Sequence, residues 1–259
     1  MTSEPTRIGV VGTGLIGTSV AMAATRAGDV VFGFDPDSAA LGESADRSTL
    51  RPTGSLEECA GDADIVFVCT PIDAIASAAA GCLSAGARVV TDVGSVKAQV
   101  VVEVESSTPS AVRGGFVGGH PMGGSERGGP EGASPSLVEG VAWVLTPAPW
   151  SDPAAVVQLE RYVRRLGAHP TVMEPERHDR LVALVSHLPQ VASSALMEMV
   201  ATGDSVDPDT LALAGSGFRE APGRCSTPRQ WRPGSAAGAR WTCHPAPSWR
   251  RRSAARVGR

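Results

Sequence analysis

His120, Ser95 and Lys97 have the residue types and positions that suit proton chemistry, and Gly12, Gly14 and Gly17 have those that suit holding a phosphate. His120 stands before Pro121 in a glycine-rich stretch, Gly118-Gly-His-Pro-Met-Gly-Gly-Ser-Glu-Arg-Gly-Gly129, at the predicted carboxyl end of a strand through Phe116 and Val117. Oxidation of an alcohol needs a base that titrates near the working pH and reaches the hydroxyl proton. Histidine is the usual choice, and a positioned base contributes about 10²–10⁴ in rate. Ser95 and Lys97 follow a neighbouring strand exit, and Lys97 is the only lysine against 22 arginines. A compact ammonium there serves either a ligand or a helix start.

The glycines have the spacing G-x-G-x-x-G, after the apolar run Ile8, Val10, Val11 and before a helical pattern that opens with Leu15 and Ile16. Gly12 permits the turn, Gly14 lets the backbone approach a pyrophosphate, and Gly17 lets helix and strand pack closely. The N–H groups of the helix start then face the anion. A second strand, Val30 to Phe34, ends in Asp35, 18 residues after Gly17. An acid there accepts hydrogen bonds from a ribose and repels an extra phosphate, so NAD is the expected cofactor, rather than NADP. The bland alternative is a glycine turn beside a solvated aspartate.

These residues need a scaffold. Further strands are predicted at 64–70, 87–92, 141–146 and 168–173, with helices at 72–83, from 98 to about 106 and at 153–166. Strands alternating with helices imply an α/β, Rossmann-type doubly wound parallel sheet over residues 1–173. Ligands of such sheets bind at the carboxyl ends of strands, so Gly12 to Gly17, Asp35, Thr70-Pro71 and Asp92 to Lys97 should converge. From Glu174 a helical stripe of Leu181, Leu184, Val185, Leu188, Ala192, Ala195, Leu196 and Met199 begins an all-helical domain over 174–220. Pro189 removes the bond to the Val185 carbonyl and should bend this helix beside His187.

The start of the chain shows no apolar signal segment, no run of about 18 apolar residues exists, and a cytoplasmic protein is expected. The five cysteines have no metal spacing, and no metal is expected. Net charge is −4, but all 27 acidic residues precede residue 221, and nine arginines follow it.

Taken in order, Gly12-Thr-Gly-Leu-Ile-Gly17, Asp92-Val-Gly-Ser-Val-Lys97, Gly119-His-Pro-Met-Gly-Gly-Ser-Glu126, Ser186-His-Leu-Pro-Gln190 and Gly215-Ser-Gly-Phe-Arg219 resemble the prephenate/arogenate dehydrogenase family of tyrosine biosynthesis. The resemblance implies oxidative decarboxylation of prephenate or arogenate with NAD. It implies that His120 takes the hydroxyl proton and that Ser95 helps hold that hydroxyl and the imidazole. It implies that Ser125 and Glu126 line the entrance, that His187 and Lys97 meet the substrate, and that Gly12, Gly14, Leu15, Ile16, Gly17, Asp35, Thr70, Pro71 and Asp92 meet the cofactor. His169 and His178 match none of these motifs and are read as surface residues.

The family pattern then calls for an arginine for a substrate carboxylate and for dimer helices. Residues 221–259 instead hold no Leu, Ile, Asp, Glu or Lys and three of the five tryptophans. Arg224 is the nearest arginine, about one residue late. The stretch reads as a basic, disordered tail, and a reading-frame change near residue 221 accounts for it. Its arginines follow no spacing on an element, so nucleic acid and membrane are not expected partners. A homodimer follows from the resemblance, and the altered tail is expected to weaken it. Two alternatives stay open: a β-hydroxyacid-type dehydrogenase on the same nucleotide fold, and a truncated NAD-binding protein without turnover.

Overall fold

The computed structural model describes residues 4–125 and 127–202. The chain divides between Leu188 and Pro189 into two units, and the sheet belongs to the first. Its elements are β1 (Arg7–Val11), α1 (Leu15–Arg26), β2 (Val30–Phe34), α2 (Ser38–Ser48), β3 (Arg51–Pro52), α3 (Leu56–Ala60), β4 (Ile65–Val68), α4 (Ile72–Ser84) and β5 (Val89–Asp92). They continue with α5 (Ala98–Ser107), β6 (Phe116–Pro121), β7 (Ala142–Thr146), α6 (Pro153–Arg165), β8 (His169–Val172), α7 (Pro175–Val182) and α8 (Leu188–Thr202). Of the second unit, the described part is the remainder of α8.

The eight strands form one sheet in the order β3-β2-β1-β4-β5-β6-β7-β8. Strands β1 to β6 pair in parallel. The Rossmann-type sheet is as expected, with one departure from parallel pairing at β7, which runs antiparallel to β6 and places His120 opposite Val144. The physical reason is the connection. The described residues of 122–141 hold short 3₁₀ turns and no crossover helix, so the chain returns beside β6 in the reverse direction. Strand β8 again runs parallel to β7.

Both faces of the sheet are buried, which explains why the central strands are continuous apolar runs. Successive residues alternate between two cores. Ile8, Val10, Ile65 and Phe67 face α1 and α6 with Trp143, Leu159 and Tyr162. Val11, Val66 and Val68 face α4 and α5 with Ile75, Cys82 and Val104. Burial pushes the thiols of Cys59, Cys69 and Cys82 up, to about 11 for Cys59 and about 12 for Cys82, so none is poised as a nucleophile.

The predicted stripe of α7 and α8 lies on the other side from the packed one. Pro175, His178 and Val182 are buried, whereas Leu184 and Val185 are 65% and 68% exposed. The proline bend takes the form of a π turn over Ala183–His187, closed by the Leu188 N–H donating to the Ala183 carbonyl. A wider turn makes room for the Pro189 ring without ending the helix.

One ionic tie joins β5 to β6. The fully buried Lys97 ammonium donates to Asp92 Oδ2 and, at 2.8 Å, to the Gly119 carbonyl. The Asp92 carboxylate also accepts from the backbone of Gly94 at 2.9 Å and Gly119 at 3.1 Å. Gly119 has to be glycine: a Cβ there would lie 2.5 Å from Thr91 Oγ1 and 2.6 Å from the Asp92 carbonyl. Replacing Lys97 by Met leaves Asp92 buried without its cation, and a loss of about 3–5 kcal/mol is expected. The urea midpoint reads this, and a change under about 1 kcal/mol would show that the tie does not hold the strands.

Candidate active site

The chain reverses its order across the sheet at β1, which lies between β2 and β4, and a crevice opens at their carboxyl ends. Gly12 takes the turn there with φ +91°, and its N–H donates to the Phe34 carbonyl at 2.8 Å. A Cβ on Gly17 would lie 2.0 Å from the Gly12 carbonyl, whereas one on Gly14 would meet nothing within 4 Å. The turn is thus packed from below and open above, where a ligand would lie.

Asp35 ends β2 and turns into this loop. Its Oδ2 accepts from the Thr13 N–H at 2.6 Å and the Thr13 hydroxyl at 3.2 Å, and its Oδ1 accepts from the Asp37 N–H at 2.9 Å. Helices α2, α3 and α6 have side-chain caps from Asp37, Ser55 and Asp152. Helices α1 and α4, which open at Leu15 and Ile72 behind Gly14 and Pro71, have none. Their first N–H groups and dipoles suit an anionic ligand. Beside the turn, the buried Thr70 hydroxyl has no hydrogen-bond partner. An open glycine, uncapped helix starts, a ribose-distance acid and an orphaned hydroxyl fit a dinucleotide.

His120 lies near the end of β6. Its Nδ1 is 2.9 Å from Nε2 of His178, and the rings meet edge to face with centroids 5.1 Å apart. His178 Nδ1 is 2.7 Å from Asp179 Oδ1. The Asp179 carboxylate in turn accepts the backbone N–H of Lys97 at 2.8 Å and of Ala98 at 2.9 Å, which caps α5 from a different helix. Burial pushes the Asp179 carboxyl up, but the hydrogen bonds from Ala98, His178 and Lys97 outweigh it and hold the group below its ordinary range. Burial, joined by the charges of His178, Lys97 and His187 and opposed by Asp179, brings His120 down to about 4. His120 is therefore a neutral imidazole at neutral pH, and its Nε2 has no partner among the described residues.

The structure corrects several sequence expectations. His178 is not on the surface: it is 1% exposed and bonded to the candidate base. His169, by contrast, is exposed. Lys97 is completely buried and committed to Asp92 and Gly119, so it is a scaffold residue, not a substrate contact. Asp92 is likewise buried, with both oxygens taken by protein donors, and does not present itself to a cofactor. The imidazole is bonded to His178, whereas the half-buried Ser95 hydroxyl makes no hydrogen bond among the described residues.

Ser125 is exposed, its Oγ accepting the Arg127 N–H at 3.2 Å. His187 is half-buried and close enough for its charge to act on His120. Glu126, Gly215 to Arg219 and Arg224 lie outside the described residues. His178 was findable in principle. It shares a helical face with Pro175 and Val182 at spacings of three and four, and an acid follows it directly.

Two family models match the chain. One, described as "Prephenate dehydrogenase, nucleotide-binding domain", covers residues 20–172. The other, described as "Prephenate dehydrogenase, dimerization domain", covers residues 174–233. The chain is 32% identical over 233 residues to the prephenate dehydrogenase of Bacillus subtilis, covering 85% of this chain and 61% of that protein. Among solved structures, prephenate dehydrogenase from A. aeolicus in complex with hydroxyphenyl propionate and NAD+ superposes with a TM-score of 0.76 at 26% identity, covering 88% of this chain and 80% of that one. Synechocystis arogenate dehydrogenase gives 0.69 at 33% identity, covering 83% and 77%. By this sequence match, on a fold with the dinucleotide crevice and the buried histidine just described, the chain belongs to the prephenate dehydrogenase family.

Proposed function

We propose that this chain binds NAD+ in the crevice between β1 and β4 and oxidises prephenate or arogenate with loss of CO₂, as a step of tyrosine biosynthesis. The observation that carries the reading is His120, neutral and held through Nδ1, at the same sheet edge as the open glycine turn. The family match, and the NAD+ complex of the A. aeolicus relative, support it.

Bound NAD+ supplies the acceptor for the hydride that leaves the hydroxyl-bearing ring carbon. The residues of the chain do the rest. The N–H groups of Gly14, Leu15 and Ile16 meet the pyrophosphate, and Asp35 accepts from the ribose. Thr70 and Pro71 border the same crevice. Ser95, whose hydroxyl is free, orients the ring hydroxyl. His120 Nε2 takes that proton as the carbon becomes a carbonyl. The bond to the ring carboxylate then breaks, its electrons complete the aromatic ring, and CO₂ departs. The proton on His120 returns to the phenolic oxygen. His187 contacts the substrate from the helical side, and Ser125 and Glu126 border the entrance.

We further propose that residues 174–220 open a helical domain whose partner is a second copy of the chain. The exposed Leu181, Leu184, Val185 and Leu188 and the dimerisation-family match support this. Among the described residues no helix is long and apolar enough to cross a membrane.

His120→Asn should bind NAD+ as tightly as the parent, by calorimetry, while kcat falls about 10²–10⁴-fold. Near-normal turnover would remove His120 as the base. Because the folded-state pKa of His120 is depressed, the base form exists above about 4 and is lost below it. The acid limb of kcat/KM should therefore fall near 4, and a limb near 6.5 would contradict this environment. Asp35→Ala removes a charged acceptor worth about 1.5–3 kcal/mol. The KM for NAD+ should rise at least about tenfold while discrimination against NADP+ relaxes, and an unchanged cofactor preference would count against the assigned role.

A further inference from the structure

We propose that Asp179 and His178 are positioning residues that fix which nitrogen of His120 receives the substrate proton. The inference rests on the reading of His120 as the base and deepens it.

The argument is one of donors and acceptors. An ionised carboxylate only accepts, and Asp179 Oδ1 lies 2.7 Å from His178 Nδ1, so Nδ1 of His178 carries the hydrogen. With a single ring hydrogen, on Nδ1, His178 has one donor and one acceptor, which makes its Nε2 the acceptor. The atom 2.9 Å from it, His120 Nδ1, must then donate. His120 is left with its lone pair on Nε2, the nitrogen without a protein partner. The direction of every hydrogen bond follows from the acceptor at the far end of the chain.

That acceptor is itself pinned. The Lys97 and Ala98 N–H groups hold both oxygens of Asp179 at the start of α5, and helix dipoles favour an anion at that end. Both histidines and Asp179 are half-buried or buried, so solvent competes little for these bonds. The groups whose charges act on His120 are His178, Lys97, His187 and Asp179, and Asp179 is the one that favours its charged form. When His120 takes up a proton, Asp179 therefore stabilises the imidazolium through His178.

Asp179→Asn tests this. Turned so that its nitrogen replaces Oδ1 and its oxygen keeps the Ala98 N–H, an amide donates to His178 Nδ1 at the cost of the Lys97 N–H bond, which reverses the chain and moves the hydrogen of His120 to Nε2. A wrong tautomer of this kind costs about 10²–10⁴ in kcat. Nitrogen-15 NMR of histidine side chains in the 259-residue chain reads the tautomer directly, without substrate. The expected result is Nδ1–H on His120 in the parent and Nε2–H in the variant, with kcat reduced and NAD+ affinity retained. His178→Gln and His178→Leu form a second test that leaves the cap on α5 intact. Glutamine can accept from His120 and donate to Asp179, so it should keep the parental tautomer and lie within about tenfold of parental kcat. Leucine, which only packs, should lose about 10²-fold or more.

Nε2–H on His120 in the parent, or equal kcat for the glutamine and leucine variants, would overturn the proposal. The expected tautomers without turnover of prephenate or arogenate by the parent would leave the positioning chain standing and remove the function assigned above.

Discussion

The buried contact of Lys97 with Asp92 is the constraint on which the site depends. It brings the ends of β5 and β6 together, because Lys97 also grips the carbonyl of Gly119, the residue before His120. The backbone N–H of the same lysine donates to the carboxylate of Asp179, the residue after His178. Side chain and main chain of one residue thus set the two elements that carry the paired histidines. A charge pair this deep is expensive to desolvate, and each oxygen of the carboxylate also accepts a backbone N–H, which offsets part of that cost.

The same sheet edge treats its helices in two ways. Helix α5 is closed by Asp179 and spends its N-terminal field inside the protein. Helices α1 and α4 are left without side-chain caps on either side of the open Gly14 turn and the orphaned Thr70 hydroxyl. The start of α5 is satisfied within the protein, and the two beside the Gly14 turn suit an anionic ligand. The His120 imidazole lies between these regimes, and its burial, first among the causes, keeps it neutral and able to accept a proton.

Much of this was legible in the sequence, for identifiable reasons. The glycine spacing, Asp35 and the apolar runs of β4 and β5 encode local geometry, and local geometry is what periodicity reports. The reversal of β7 was not legible, because an apolar run does not state its direction. Lys97 invited a ligand role since a lone lysine is seldom found wholly buried, and only the fold reveals Asp92 beneath it. His178 was hidden by its neighbours. A helix segment reading Glu-Arg-His-Asp-Arg looks solvated, yet its face with Pro175 and Val182 packs inward. The stripe beginning at Leu181 was legible as the apolar face of a helical segment, and that face stands exposed.

The most direct test of the account is simultaneous measurement of NADH and CO₂ formed by the full 259-residue chain, given NAD+ and either prephenate or arogenate. The account predicts that at least one substrate yields both products in equal amounts, since the loss of the ring carboxylate follows the oxidation in the same turnover. NADH without CO₂ would assign the crevice and His120 to a different alcohol oxidation. Neither product from either substrate, with NAD+ still bound, would contradict the proposed activity of this chain.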